Sequence, residues 1–245
     1  MLNILKGIQG YTVAYSLIIK LKLWKYFFVP IIISVFTAII ISTTAYALSD
    51  NVGDIIFQVW PWDTGKELFL SFSTIIGGIV VLAIGIILYK HIIMAFSAPF
   101  MGPVSEKIEA YYSKQVSYSH RNTSFSEQLF RSIKLNFRNL SMELFLTIPL
   151  LLLNIIPGIN ILSMFALFLV QSYYAGFGNI DFTLERHLNY RNSIEFIKTN
   201  KGLAIGNGVV FMLLLLVPLI GVIIVLPLSV TAAASSTIKF LKIEQ

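Results

Sequence analysis

Long runs of uncharged residues dominate the pattern of hydrophobic and polar positions along the chain. Two of these runs cover 26–48 and 68–89, with 23 and 22 residues. At about 1.5 Å of rise per residue, each would form a helix of roughly 33 Å, enough to cross a hydrocarbon core of about 30 Å. The pattern therefore predicts two long transmembrane helices, at 26–48 and at 68–96, the second continuing toward residue 98.

Two further uncharged runs are too long for one helix each and carry proline near the middle. They cover 144–180 and 203–238, with 37 and 36 residues. Proline removes a helical hydrogen bond, and Pro-Gly favours a turn, so we expect each run to form a helical hairpin. The predicted turn residues are Pro157, Gly158 and Asn160 in the first hairpin and Pro218 and Gly221 in the second.

The first limb of each predicted hairpin is short. Residues 144–156 and 203–217 would span only about 20 and 22 Å as helices. Limbs of that length favour hairpins that dip into the membrane and return, provided that protein or water covers the polar backbone of the turn. Two full crossings with kinks would place the flanking segments on the same sides, so both interpretations stay open.

Polar segments between the runs predict the orientation. Residues 1–25 hold four lysines and no acid, with apolar positions near helical spacing, which predicts an amphipathic helix at the interface. Residues 49–67 hold four acidic residues and one lysine, whereas 101–143 hold more basic than acidic residues and predict a cytoplasmic helical segment. By the positive-inside rule, we expect a multi-pass protein with both termini in the cytoplasm, in the inner membrane if the source is a Gram-negative bacterium.

Composition excludes several other classes of protein. Of 245 residues, 56% are hydrophobic and 12% charged, whereas soluble domains carry about 25% charged residues. The chain has no cysteine, and His91, His120 and His187 lack metal-ligand spacing, so we expect them at the interface or in solvent. The sequence therefore predicts an all-α integral membrane protein in one domain, without catalytic residues, metal, cofactor or nucleic-acid partner.

Polar and small residues inside the apolar runs have two explanations each. Asn154, Asn160, Gln171 and Asn207 could line a polar path, or they could form hydrogen bonds between helices. Small residues recur at helical spacing in both predicted spans, which favours close packing either within one chain or in a homo-oligomer.

Lysines cluster just before the first predicted span, at Lys20, Lys22 and Lys25. Clustered lysines at a cytoplasmic helix start anchor the topology or contact lipid head groups. The same position also suits a tetrahedral oxyanion, because the free N–H groups of a helix start favour negative charge.

A segment with proline and glycine at 97–109 reads SAPFMGPVSEKIE. It resembles the Ala-Pro-Phe-x-Gly-x-x-x-Glu-Lys-hydrophobic-Glu motif of the CysZ family of bacterial sulfate permeases, which share a domain with the eukaryotic etoposide-induced 2.4 proteins. The matching residues are Ala98, Pro99, Phe100, Gly102, Glu106, Lys107 and Glu109. Residues 23–30 also resemble the opening of the family's sequences, and the predicted turns fall where this family has its two hairpin turns. The resemblance therefore covers about 5–235.

The resemblance implies two spanning helices, two membrane-dipping hairpins, a homo-oligomer and channel-like sulfate uptake for sulfur assimilation. It also implies an anion site at the family's Gly-Leu-Arg-Arg stretch. In this chain the stretch reads Lys22, Leu23, Trp24 and Lys25. Two lysines keep the positive charge, but the bidentate fork of arginine and the backbone freedom of glycine are lost.

Two functions from different classes are consistent with these observations. The first is a membrane transport protein for a small inorganic anion, sulfate by resemblance. The second is a non-transporting membrane protein that binds lipid or assists membrane-protein assembly, as the eukaryotic branch of the family suggests. In both, the lipid bilayer is a partner.

Overall fold

Helices make up the architecture of the described chain. The computed structural model describes residues 2–58, 65–112, 124–154, 158–217 and 220–243, and these contain no β-strand. Their eight helices are α1 (Leu2–Lys20), α2 (Trp24–Phe57), α3 (Lys66–Tyr112), α4 (Phe125–Leu153), α5 (Asn160–Leu184), α6 (Tyr190–Thr199), α7 (Lys201–Leu215) and α8 (Ile220–Ile243). By length and composition, α2, α5 and most of α3 and α8 could cross a membrane. The predicted all-α membrane class is confirmed at this level.

The two helices predicted as long spans extend beyond the uncharged runs that predict them. α2 covers Trp24–Phe57, whereas the sequence predicts 26–48. α3 continues past its predicted end at residue 96 to Tyr112 and includes Pro99. A charged residue marks the edge of a hydrophobic run but does not end a helix, so the segment 97–109 lies within α3 and is no separate element.

α1 ends in a tight turn that leads directly into α2. Lys22 has a φ of +52°, the left-handed conformation that normally favours glycine. Its N–H donates to the Ile19 carbonyl oxygen at 3.1 Å, and the Leu23 N–H donates to the Ile18 carbonyl oxygen at 2.9 Å. This pair of hydrogen bonds is a Schellman motif, and it ends the predicted amphipathic helix at Lys20.

The N-terminal helix packs against the last two helices of the chain. A Cβ atom on Gly7 would lie 2.5 Å from the Leu203 carbonyl oxygen, so α1 and α7 approach backbone to backbone. α1 also contacts α8, and the Ser236 hydroxyl donates to the Lys6 carbonyl oxygen at 3.2 Å. Protein therefore covers one face of the predicted interfacial helix, while Ile19 stays exposed on another.

α4 and α5 occupy the first of the two long uncharged runs and extend beyond it. α4 continues without a break from Phe125, so it joins the end of the predicted segment 101–143 to the first limb of the hairpin. Gly158, with a φ of +88°, precedes the start of α5 at Asn160. Residues 113–123 and Pro157 lie outside the described residues.

α7 and α8 occupy the second long run and differ in length. α7 has 15 residues, about 22 Å, whereas α8 has 24. Gly221 lies where α8 begins against the end of α7, since a Cβ atom there would be 2.2 Å from the Leu214 carbonyl oxygen. Pro218 lies outside the described residues. Dipping hairpins and full crossings both stay predictions.

The centre of the molecule is a tightly packed body, and the α2–α3 pair lies beside it. A Cβ atom on Gly176 would lie 1.9 Å from the Ala204 carbonyl oxygen, so α5 and α7 touch through their backbones. α2 and α3 contact each other most extensively, and Ser34 Oγ lies 2.8 Å from the Tyr89 hydroxyl between them. Small residues thus serve packing within the chain in this region.

Candidate functional site

The sequence-predicted anion residues lie at the turn between α1 and α2. Leu23 is fully buried, whereas Lys22, Trp24 and Lys25 are exposed. Leu23 is the N-cap of α2 and makes no side-chain hydrogen bond to the first turn. The N–H groups of an uncapped first turn carry a partial positive charge. Lys22 and Lys25 therefore flank a helix start that is itself positively polarised.

A lysine from the segment 97–109 comes to the same place. The Lys107 Nζ of α3 lies 5.8 Å from the centroid of the Tyr26 ring, and the Lys25 Nζ lies 5.0 Å from the same centroid. We call Lys20, Lys22, Lys25 and Lys107 the lysine cluster. None of the four forms a salt bridge with a residue that the structure describes. The structure thus brings together two segments that are far apart in the sequence.

Other residues of the segment 97–109 join α3 to α4. Ala98 is buried, and Pro99 and Gly102 are half-buried. The Phe100 ring meets Phe125, at the start of α4, edge to face with the ring centroids 5.8 Å apart. These four residues of the motif therefore have surroundings typical of a packing role.

The two carboxylates of this segment have different surroundings. Glu106 is exposed, whereas Glu109 is buried with its Oε2 atom 3.3 Å from His187 Nε2 and 3.5 Å from an Arg186 nitrogen. Burial lowers the pKa of the Arg186 guanidinium, and the nearby charge of Glu109 opposes that shift. Glu109 therefore ties the end of α3 to the chain that follows α5.

A second charged region lies inside the helical body, where the sequence predicts no site. Lys90 Nζ lies 2.6 Å from one carboxylate oxygen of Glu143, and His91 Nε2 lies 3.0 Å from the other. Lys90 Nζ also donates to the Gln171 carbonyl oxygen at 3.3 Å. The side chains of Lys90 and Glu143 are wholly buried. We call Lys90, His91 and Glu143 the buried charge cluster.

The expectation that His91 lies at the interface or in solvent is wrong. His91 is buried, and its Nδ1 atom lies 3.4 Å from Asn136 Oδ1 while Nε2 faces Glu143. Burial of a polar ring costs little when both nitrogens have partners. His120 lies outside the described residues, among which no three metal-binding side chains could jointly hold an ion.

Asn207 connects helices from both ends of the chain. Its amide donates to the Ser229 carbonyl oxygen at 3.0 Å, and its Oδ1 atom accepts from Asn179 at 2.8 Å. The Tyr11 hydroxyl donates to the Asn207 carbonyl oxygen at 2.8 Å. Burial raises the pKa of the Tyr11 phenol, which keeps it protonated as a donor. For Asn207, hydrogen bonding between helices is the explanation that holds.

The position of the buried charge cluster explains why sequence reasoning missed it. Lys90 follows the uncharged run 68–89, and Glu143 precedes the run 144–180. The sequence alone therefore predicts that each residue lies at the end of a membrane segment. The available signal was their opposite charge at the edges of neighbouring runs. In the structure these two edge residues pair with each other.

Comparison with known proteins identifies the family. No curated protein matches the chain. A family model described as sulfate transporter CysZ/etoposide-induced protein 2.4 matches residues 12–225, a range that includes the lysine cluster and the buried charge cluster. Because this match covers most of the sequence, the resemblance seen in the motifs is confirmed, and the chain belongs to the sulfate transporter CysZ/etoposide-induced protein 2.4 family.

Proposed function

We propose that the protein transports a small inorganic anion, sulfate, by channel-like uptake across the cell membrane for sulfur assimilation. The observation that carries the proposal is the family match over 12–225, whose description names a sulfate transporter. Four helices that are long and apolar enough to cross a membrane agree with a transport protein. The lysine cluster, in which Lys20, Lys22 and Lys25 are exposed and Lys107 is half-buried, supplies positive charge where an anion would enter or leave.

In this proposal the anion binds at the first turn of α2. The oxyanion accepts hydrogen bonds from backbone N–H groups, and Lys25 adds a charge-assisted bond. Lys22 replaces the family's glycine yet adopts the left-handed conformation that glycine favours, which supports a family-like backbone at this turn. Lys107 adds a further positive charge beside the Tyr26 ring, which Lys25 also approaches.

Uptake of labelled sulfate into proteoliposomes tests the proposal. We expect uptake by the wild type above that of protein-free vesicles, and a reduced rate for Lys25→Ala. Lys134→Ala is a matched control, because Lys134 is also exposed and its Nζ lies 4.9 Å from the Tyr190 ring. Uptake equal to that of empty vesicles would overturn the proposed function, while equal uptake by wild type and Lys25→Ala would overturn the site.

A second candidate function rests on the aromatic residues beside the lysine cluster. Trp24 is 44% and Phe28 67% exposed, and aromatic residues next to lysines are typical of a membrane interface. In this alternative, the protein binds lipid or assists membrane-protein assembly without transport. Wild-type protein that binds no sulfate at millimolar concentration would favour this candidate.

Both candidates are compatible with a homo-oligomer, which we also propose. The exposed faces of α2 and α3 carry large apolar side chains, including Phe36 and Phe72, and small residues recur on the same helices. Light scattering of the detergent-purified protein would measure the mass of the assembly. A monomeric mass at all protein concentrations tested would contradict it.

A further inference from the structure

A groove opens between α4, α5 and the junction of α6 with α7. Its volume is about 690 Å³, within the range of roughly 300–1,000 Å³ that is typical of ligand sites. No residue of the lysine cluster or of the buried charge cluster lines it. The groove is therefore separate from the lysine cluster, where the transported anion is proposed to bind.

One end of the groove is basic. Arg138, Lys198 and Lys201 line it together with the single acidic residue Glu195, which gives a net charge of +2. Lys198 and Lys201 are exposed, and neither forms an ion pair with a residue that the structure describes. Their charges are thus available to a negatively charged ligand.

Arg138 is held in place at the inner side of this basic end. Its guanidinium donates to Asn139 Oδ1 at 2.9 Å and lies 5.7 Å from the centroid of the Phe177 ring. A guanidinium fixed in this way loses little side-chain entropy when it binds an oxyanion, and its planar fork suits phosphate oxygens.

The groove becomes apolar along α4 and α5. Met142 and Leu146 follow Arg138 at intervals of four residues, so they lie on the same face of α4 and extend about 12 Å from it. Leu169 and Val170 line the opposite wall from α5. The ligand that fits therefore has a negative end and an apolar part of at least this length.

Two tyrosines lie between the basic and apolar ends. Tyr173 and Tyr174 line the groove from α5, with their ring centroids 5.0 Å apart. Tyrosine is enriched at the head-group level of membranes, where its ring meets acyl carbon and its hydroxyl meets water. Basic residues, tyrosines and aliphatic residues thus follow one another along the groove in the same order as the head group, the head-group boundary and the acyl chain of a lipid.

We propose that this groove binds an anionic phospholipid taken from the surrounding bilayer. The phosphate contacts Lys198, Lys201 and Arg138, and one acyl chain lies along Leu146 and Val170. A free inorganic anion would use only the basic end, and a zwitterionic lipid would bring no net charge to offset the net charge of +2 there. The complementarity of both ends selects an anionic amphiphile.

Native mass spectrometry on the detergent-purified full chain tests this proposal. The probes are phosphatidylglycerol, phosphatidylcholine with the same acyl chains, and inorganic phosphate. We expect phosphatidylglycerol to bind with at least tenfold higher affinity than phosphatidylcholine. The double variant K198A/K201A should lose at least tenfold in phosphatidylglycerol affinity, and K198R/K201R should retain it.

The matched control removes two lysines from a different groove. Lys6 and Lys239 line a groove of about 630 Å³ between α1 and α8, so K6A/K239A makes the same change in net charge. We expect its phosphatidylglycerol affinity to stay within twofold of the wild type. An equal loss in both double variants would overturn the proposal, because the attraction would then be diffuse electrostatics.

Competition separates a lipid site from a simple anion site. Inorganic phosphate or sulfate should leave phosphatidylglycerol bound at a concentration of about 1 mM, which equals the dissociation constant of a weak anion site. L146W, which fills the apolar end at a partly exposed position, should weaken phosphatidylglycerol binding at least fivefold while the far-ultraviolet circular dichroism stays unchanged. Displacement of the lipid by either anion, or full binding by L146W, would overturn the proposal.

Discussion

The basic residues of the lysine cluster and of the buried charge cluster differ in burial and in pairing. The Lys25 side chain is exposed and forms no salt bridge with a described residue, so its charge can act on a ligand. Lys90 is wholly buried and paired with Glu143 at 2.6 Å, so its charge is neutralised within the protein. Charge that is solvated is available for binding, whereas charge that is paired in the interior serves the structure.

The largest expected effect breaks the pairing in the buried charge cluster. Glu143→Ala leaves Lys90 buried without its carboxylate, and loss of one partner of a buried ion pair costs about 3–5 kcal/mol. We expect a free energy of unfolding lower by this amount, measured by denaturant titration of the detergent-purified protein. The double variant Lys90→Met with Glu143→Leu should recover only part of it, because the buried His91 still loses its Glu143 partner. A Glu143→Ala protein as stable as the wild type would show that the pair is not needed for the fold.

The second expected effect is on the binding of sulfate by the lysine cluster. Lys25→Ala should weaken sulfate binding about tenfold or more by calorimetry, because it removes the charge nearest the first turn of α2. Lys22→Ala should weaken binding less. Neither change should alter the free energy of unfolding by more than about 0.5 kcal/mol, as is usual for exposed positions. Equal sulfate binding by Lys25→Ala and wild type would place the site elsewhere.

A smaller effect separates the backbone of the lysine cluster from its charge. Lys22 has a φ of +52°, and a left-handed conformation costs a residue with a Cβ atom about 1–2 kcal/mol. Lys22→Gly should therefore raise the free energy of unfolding by up to about 1 kcal/mol, since glycine relieves this strain but gains entropy in the unfolded chain. Thermal denaturation beside Lys22→Ala provides the comparison. If Lys22→Gly unfolds more easily than Lys22→Ala, the turn is not strained.

The smallest effect tests the role of the aromatic residue between the two lysines. Trp24→Phe should leave sulfate affinity within twofold of the wild type, because we assign Trp24 to the membrane interface and not to the anion. The same calorimetric titration measures it. A tenfold loss would place the indole in contact with the ligand and revise the lysine cluster to include it.

The fold was predictable where hydrophobicity alone decides it. The runs at 26–48 and 68–89 lie within α2 and α3, and the breaks near Gly158 and Gly221 lie between helices or at a helix start. The ends of helices were less predictable, because helices continue into polar surroundings. α3 passes through Lys90 without a break, and the buried charge of Lys90 has a partner on α4.

The candidate sites were predictable only in part, for a similar reason. Lys22 and Lys25 are recognisable because they form a local cluster without acids and fall on a family motif. The pairing of Lys90 with Glu143 depends on which helices meet, across a separation of 53 residues. The groove near Lys198 is lined by residues of four helices. Contacts of this kind arise from tertiary packing, which a single sequence does not reveal by spacing.

The packing of α1 against the end of the chain has a consequence for biosynthesis. Tyr11 and its partner Asn207 are 196 residues apart, and a ribosome that adds about 5–20 residues per second needs roughly 10 to 40 s to synthesise that stretch. During this interval the face of α1 that will cover α7 and α8 has no protein partner. We therefore expect the membrane surface to shelter this face of α1 until α7 and α8 follow, and a protein truncated before α7 to leave the face without its partner helices.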